Sequence, residues 1–238
     1  NNEYLNFDMI KNPLVCLNQA LAESGFFLEI EKDYKFKKVL VIYNYFSKDL
    51  KNTILNNRNA IKVNKNAELH IIEYTINESE FKFINNVYEN ITLKENAKLK
   101  SIYIQKNSNN GFFHKYLKNN LFFKSDYSNF IFSSGSKFNK LDIECDLLEE
   151  YCNCNIFSAL YLIKNEHQEI KTCLNHLAPN CKSYQKIKNV LEKDSNGVYQ
   201  GKIFVKDVAQ KTDAYQLSKA LITKGMVGLA GFSPPGRH

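Results

Sequence analysis

Hydrophobic and polar residues alternate along most of the chain, in short runs separated by polar turns. In the stretch "IKVNKNAELHII", residues 61–72, apolar residues alternate with polar ones on both sides of an Asn-Ala pair. A period of two places alternate side chains on opposite faces of a strand. The stretch therefore predicts a strand, an asparagine-centred turn and a second strand.

This unit occurs twice. "ITLKENAKLKSI", residues 91–102, aligns with residues 61–72 at an offset of 30 residues and shares Ile, Asn-Ala and Leu at corresponding positions. A repeat of this length that turns within itself cannot bury its apolar face alone and must stack on its neighbours. The pattern favours a right-handed parallel β-helix or a sandwich of long hairpins.

One helix is predicted near the amino terminus, over residues 13–24. Pro13 suits the first turn of a helix, leucines recur at helical spacing in this range, and Gly25 is placed to end the helix in the left-handed conformation. The following "FFLEI" begins strand-like material, which continues along most of the chain.

Composition excludes several classes of protein. A chain of 238 residues that is 44% hydrophobic is long enough to bury a core. It contains no signal peptide pattern and no apolar run of membrane-spanning length, so we expect a cytoplasmic protein without a membrane partner. Although the net charge is +7, only Arg58 and Arg237 are arginines and the lysines are dispersed, which argues against a nucleic-acid partner.

Six cysteines have no spacing typical of a disulfide framework or a zinc site, so we expect reduced thiols. Cys152 and Cys154 would share one strand face and, with Cys145 or His176, could form a soft-metal site. Burial as small hydrophobic side chains is the favoured alternative. The cysteines are Cys16, Cys145, Cys152, Cys154, Cys173 and Cys181.

Three carboxylates alternate with apolar residues in "LDIECD", residues 141–146. Asp142, Glu144 and Asp146 would lie on one strand face, opposite Leu141 and its apolar neighbours. Grouped carboxylates on a β-helix could belong to a carbohydrate-active enzyme, in which two acids flank the scissile bond. A half-solvated strand, with its acidic face in water, is the favoured interpretation.

The most specific pattern lies in residues 176–221, "HLAPNCKSYQKIKNVLEKDSNGVYQGKIFVKDVAQKTDAYQLSKAL". It resembles the SufB/SufD family of iron–sulfur cluster assembly proteins, and SufD most closely, with weaker similarity over residues 14–222. The matching positions are His176, Ser183, Gln185, Gly201, Ile203, Val205, Ala209, Gln210, Thr212, Asp213, Ala214 and Gln216.

The resemblance implies a mainly β chain with a right-handed parallel β-helix core over residues 38–222, preceded by a helix and a lead-in strand in residues 1–37. Glutamine and asparagine side chains would bond to their counterparts on neighbouring coils, and Thr212 and Asp213 would cap backbone donors at a corner. Gly197 is expected in a turn and Gly201 at a close-packed position. The motif residues expected to be structural are His176, Ser183, Gln185, Gly201, Gln210, Thr212, Asp213 and Gln216.

The resemblance also sets expectations for function. It implies a non-catalytic scaffold subunit that works with SufB-like and SufC-like partners, the latter an ATPase, in building iron–sulfur clusters. No catalytic, cofactor or metal residue is expected in this chain alone; the cluster, and flavin in this family, would be held by the complex. The alternative is a β-helical carbohydrate-active enzyme that uses the strand carboxylates.

The sequence departs from the family pattern after residue 222. The family's later Cys/Ser-x-His-Gly-Ala-Thr segment is missing, and residues 223–238 end in "GMVGLAGFSPPGRH", which is rich in glycine and contains no asparagine. We therefore expect a carboxyl-terminally truncated SufD-like chain with an atypical tail, non-native or frameshifted in origin.

Overall fold

A computed structural model describes residues 12–106, 110–163, 165–192 and 194–223, together with the backbone of 228–230. The described chain is mainly β, and its strands pair in parallel to form a solenoid. The predicted parallel β-helix is confirmed, and the alternative of long hairpins is wrong because no antiparallel pair occurs among the described strands. No helix in these residues is long and apolar enough to cross a membrane.

The described residues form one helix and fifteen strands. In chain order they are α1 (Pro13–Leu21), β1 (Phe27–Ile30), β2 (Leu40–Phe46), β3 (Thr53–Val63), β4 (Glu68–Asn77), β5 (Phe83–Leu93), β6 (Lys98–Lys106), β7 (Gly111–Leu121), β8 (Asp126–Ser134), β9 (Phe138–Leu147), β10 (Asn153–Leu162), β11 (His167–His176), β12 (Lys182–Leu191), β13 (Asn196–Val205), β14 (Asp213–Ile222) and β15 (Gly228–Ala230).

Each coil of the solenoid adds one strand to each of two sheets. The odd sheet contains the odd-numbered strands β1 to β15 in order, and the even sheet contains β2 to β14 in order. The repeat predicted from residues 61–72 and 91–102 is one coil, because Ile61 pairs with Ile91 and Leu69 with Leu99. In-register stacking is why the hydrophobic pattern recurs with a nearly constant period.

Asparagines at one corner of the solenoid explain the Asn-Ala turn. Asn66 and Asn96 have φ angles of 58° and 56°, a left-handed conformation that asparagine tolerates better than most residues. The Asn96 amide donates to Asn66 Oδ1 at 3.1 Å, and Asn66 donates to Asp33 Oδ1 at 2.7 Å. The predicted asparagine ladder therefore exists at this corner.

The inward-facing residues of both sheets form the core. Leucines such as Leu69, Leu93 and Leu147 have no solvent-exposed surface. Their burial in a continuous column along the axis joins successive coils into one hydrophobic core. Each coil thus depends on its neighbours for burial, as the repeat predicted.

The helix starts as predicted but ends earlier. Asn12 caps it by accepting a hydrogen bond from the Leu14 amide, and Pro13 occupies the first turn. The helix ends at Leu21 rather than residue 24, because the chain becomes extended and the Ser24 carbonyl accepts a hydrogen bond from the Arg58 amide.

Gly25 is therefore not the helix stop that the sequence suggested. It lies beyond the helix with a φ of 155°, which L-residues rarely adopt, and a Cβ at this position would overlap the Arg58 carbonyl oxygen. Its role is to let the chain approach the edge of the odd sheet closely.

Strand pairing continues on both sides of the predicted core, 38–222. The lead-in strand β1 pairs with β3, so part of the predicted segment 1–37 extends the odd sheet. Within the predicted tail, 223–238, the backbone of β15 pairs with β13. The rest of the tail after residue 223, like residues 1–11, lies outside the described residues.

Candidate functional site

The family-motif residues lie in the last described coils, and most of their bonds are to one another or to the backbone. His176 ends β11, Ser183 and Gln185 belong to β12, and all three are buried. Gly201 lies in β13 and Gln216 in β14, so these five positions span the coils at the carboxyl-terminal side of the solenoid.

His176 is a buried neutral histidine. Its Nε2 lies 2.8 Å from Ser183 Oγ, while its Nδ1 has no hydrogen-bond partner within the described residues. Burial lowers the pKa of His176 to about 4, because the interior disfavours the imidazolium. The residue therefore acts as a polar core side chain that joins the end of β11 to the start of β12 across the corner between them.

His176 should make the fold sensitive to acid. Because its folded pKa of about 4 lies below the ordinary 6.5, the unfolded chain binds a proton between these pH values that the folded chain does not. Stability should therefore fall as the pH drops through this window, by as much as about 3 kcal/mol. Urea unfolding of His176→Asn should show a flatter pH dependence than wild type, whereas the control His70→Asn, at a partly exposed position, should not.

A pH dependence of His176→Asn as steep as that of wild type would show that His176 does not control this acid sensitivity.

Gln185 links three strands of the same region. Its Oε1 accepts from Tyr199 Oη at 3.3 Å, and its Nε2 donates to Gln216 Oε1 at 3.4 Å. Tyr199 also lies 3.3 Å from Thr172 Oγ1. The glutamine contact between neighbouring coils is the ladder that the motif predicted.

The two motif glycines differ from each other. A Cβ at Gly201 would overlap the side-chain amide of Gln216, which confirms the predicted close packing. Gly197 lies within β13, near the side chains of Leu191 and Asn189, so its predicted turn is wrong. The strand continues through Gly197 because β13 stays in register with β11.

The rest of the motif forms the corner before β14. Lys211 has a φ of 57°, Gln210 Nε2 donates to the Asp207 carbonyl at 2.6 Å, and Thr212 Oγ1 donates to the Ala209 carbonyl at 2.8 Å. Thr212 thus satisfies a backbone acceptor rather than the donor that the sequence suggested. Asp213 begins β14, and its amide donates to the Cys181 carbonyl at 3.1 Å.

The acidic stripe of β9 lies on the outer face of the odd sheet, as its alternation predicted, and Glu144 and Asp146 are partly exposed there, whereas Asp142 is buried. Asp142 is buried because His114 Nε2 lies 3.2 Å and the Asn12 amide 3.0 Å from its Oδ2. Burial alone would raise the pKa of Asp142, but His114 and Lys140 lower it below its usual value.

The other two carboxylates of the stripe are ion-paired. Lys118 Nζ lies 2.7 Å from Glu144 Oε1 and 2.7 Å from Asp146 Oδ2, and Tyr116 donates to Glu144. Carboxylates side by side on one strand, each held by a cation or a donor, form a stabilising network. They do not flank a bond from opposite sides as a glycosidase requires.

The predicted soft-metal site has no support in the described residues, where no three of the cysteine, histidine and acidic side chains are arranged to hold a metal ion. The thiols instead form pairs in the core: Cys145 with Cys154, and Cys152 with Cys181. Burial raises the pKa of Cys145, which opposes a thiolate. The thiols are free, as predicted.

A buried charge cluster inside the solenoid was missed in the sequence analysis. Lys115 Nζ lies 2.6 Å from Glu73 Oε2 and 3.2 Å from Glu89 Oε2, and 4.9 Å from the centre of the Tyr103 ring. Glu73 and Lys115 line a cavity of about 420 Å³ among amide side chains such as that of Asn44. The signal that could have revealed the cluster is the inward position of Lys115 in a strand where alternate residues are apolar.

Most of the chain matches a known protein family. A family model described as "SUF system FeS cluster assembly, SufBD core domain" matches residues 45–227, a range that includes every strand from β3 to β14. A search of curated proteins found no match. The chain therefore belongs to the SufBD core-domain family, and with it to the system that assembles iron–sulfur clusters.

Proposed function

We propose that the chain is a SufD-like scaffold subunit that assembles with a SufB-like subunit and a SufC-like ATPase. The iron–sulfur cluster is the cargo of that complex, and we assign any flavin to the complex rather than to this chain. The SufD assignment is favoured by the motif at residues 209–216, "AQKTDAYQ".

One observation carries the scaffold proposal: the motif side chains bond to one another and to the backbone. His176 bonds to Ser183, Gln185 to Gln216, and Thr212 to the Ala209 carbonyl. Residues used in this way fix the corners and the stacking of the coils, and they leave little chemistry for turnover. We therefore assign the chain a non-catalytic role.

The remaining chemistry would come from the partners. The sequence contains no P-loop, so ATP hydrolysis is assigned to the SufC-like subunit. The six free cysteines favour a reducing compartment, and we keep the cytoplasm as the expected location.

The test is co-expression of the tagged chain with SufB-like and SufC-like proteins, followed by affinity capture. We expect both partners to be retained through washes at raised salt. The control is co-expression of the untagged chain with the same partners, which reports non-specific retention. Circular dichroism of the isolated chain shows whether the solenoid is folded, and a folded chain that retains neither partner would contradict the proposal.

A further inference from the structure

Small buried residues stack at one corner of the solenoid. From β4 to β12, the residue before each even-sheet strand is at most 1% exposed, and its carbonyl accepts, at 2.9–3.1 Å, a hydrogen bond from the first residue of the next even-sheet strand. Only a small side chain fits, because this position turns inward between the two sheets. The column consists of Ala67, Ala97, Ser125, Cys152 and Cys181.

The last two members of this column are cysteines one coil apart. The Lys182 amide donates to the Cys152 carbonyl, and β10 and β12 continue in register from there. Parallel neighbours in register have Cα atoms about 4.8 Å apart. That spacing is within the range of roughly 4.4–6.8 Å found across disulfide bonds.

The two sulfur atoms also point toward the same place. Cys152 Sγ lies 3.0 Å and Cys181 Sγ 3.2 Å from a single acceptor, the Glu149 carbonyl oxygen. A disulfide between them therefore needs rotation of side chains that already converge, together with a small approach of the two backbones.

The two thiols of the pair differ in pKa, as the two thiols of a reactive dithiol do. The hydrogen bond from Cys152 lowers the pKa of Cys181 to about 7, whereas its bond to Cys181, together with burial, raises the pKa of Cys152. Deprotonation is thus easier at Cys181 than at Cys152. The Cys145 and Cys154 pair differs, because both residues lie within strands and burial raises the pKa of Cys145.

We propose that Cys152 and Cys181 form a modification site, in which a hydroperoxide oxidises the two thiols to a disulfide that links successive coils. The oxidant must be small because both side chains are almost fully buried. The neighbouring Tyr151, which is half exposed, places the corner at the surface, where local opening admits such a molecule.

The chemistry balances with hydrogen peroxide as the oxidant. The Cys181 thiolate attacks one peroxide oxygen, the O–O bond breaks, and the departing hydroxide takes up a proton to form water, leaving a sulfenic acid. Cys152 sulfur then attacks the sulfenic sulfur, the S–S bond forms, the S–O bond breaks, and a second water leaves with the Cys152 proton. Two thiols lose two electrons in total, and one peroxide is reduced to two waters.

To test this, the reduced chain is treated with near-stoichiometric hydrogen peroxide, and the remaining free thiols are alkylated under denaturing conditions. Peptides are then mapped by mass spectrometry without reduction. We expect a peptide pair linked through Cys152 and Cys181, the loss of two alkylatable thiols, and recovery of both after dithiothreitol. Cys152→Ser and Cys181→Ser should each abolish the link, and the matched control Cys145→Ser should retain it.

Peptide mapping of the wild-type chain tests the proposal without the serine variants, whose folding therefore does not affect the result. Complete alkylation of both thiols after peroxide treatment would overturn it. A disulfide joining Cys145 to Cys154 in place of this pair would overturn it as well.

Discussion

Replacing Lys115 by methionine is expected to lower the free energy of unfolding by about 3–5 kcal/mol. Methionine has nearly the length of the lysine stem, so the change removes the charge while leaving most of the packing. What remains is two carboxylates, Glu73 and Glu89, inside a solenoid where Lys115 was their only cationic contact in the described residues.

The loss of stability in Lys115→Met comes from the two glutamates that remain, rather than from the loss of the lysine's own packing. Burial already raises the pKa of Glu89, and the nearby Glu73 charge raises it further, whereas Lys115 opposes both effects. Although burial disfavours the Lys115 charge, the two glutamates raise its pKa, so the ammonium form persists in the folded protein. Removal of one member of such a buried group leaves uncompensated charge.

Urea unfolding at neutral pH measures this effect. The control Lys171→Met, at an exposed position on the odd sheet, should change stability by no more than about 0.5 kcal/mol. Adding Glu73→Gln and Glu89→Gln to Lys115→Met should restore much of the loss, because neutral amides carry no unpaired charge. Equal stability of Lys115→Met and wild type would show that the cluster is not an ion pair in the folded protein.

Replacing Phe83 by alanine is expected to cost about 3–5 kcal/mol. Phe83 is 2% exposed and belongs to a three-ring cluster with Phe46 and Phe113. Its ring centre lies 5.1 Å from that of Phe46, in a stacked arrangement, and 5.5 Å from that of Phe113, edge to face. Alanine would leave a cavity that the two remaining rings cannot fill.

Phe81 provides a matched control two residues earlier. It is 47% exposed and contacts Lys51 through its ring face, so Phe81→Ala should cost less than about 1 kcal/mol. Thermal unfolding of both variants checks the contrast. Similar losses for Phe81→Ala and Phe83→Ala would mean that the three-ring cluster does not hold this end of the solenoid together.

The fold could be predicted from the sequence because its signals are local. Alternation within residues 61–72 identifies strands, and the Asn-Ala corner marks a left-handed turn within the same few residues. The repeat at 91–102 then requires stacking, since neither copy can bury its apolar face alone. Each step depends on residues adjacent in the chain.

The side-chain contacts of the candidate site join residues that are far apart in the sequence. Local sequence patterns therefore could not predict them. Lys115 meets Glu73 across 42 positions, and Asn12 meets Asp142 across 130 positions. The acidic stripe therefore seemed solvent-exposed in the sequence, although His114 and the start of α1 cover Asp142. The pairing of the thiols likewise depends on which coil stacks on which.

The family motif in the last coils could be predicted only in part. Its resemblance to the family predicted a ladder of polar side chains, and Gln185 with Gln216 provides one. It could not show that Gly197 continues a strand, because that depends on the register of β13 against β11. It also did not show that Thr212 satisfies a backbone acceptor, because the hydroxyl can donate or accept and the conformation of the corner decides which.

The central claim is that this SufBD-family chain acts as a scaffold subunit, and the native mass of the captured complex tests it most directly. After co-expression with SufB-like and SufC-like proteins, we predict a single assembly whose mass includes this chain and both partners. A folded chain recovered only by itself, while the SufB-like and SufC-like proteins associate with each other, would contradict the claim.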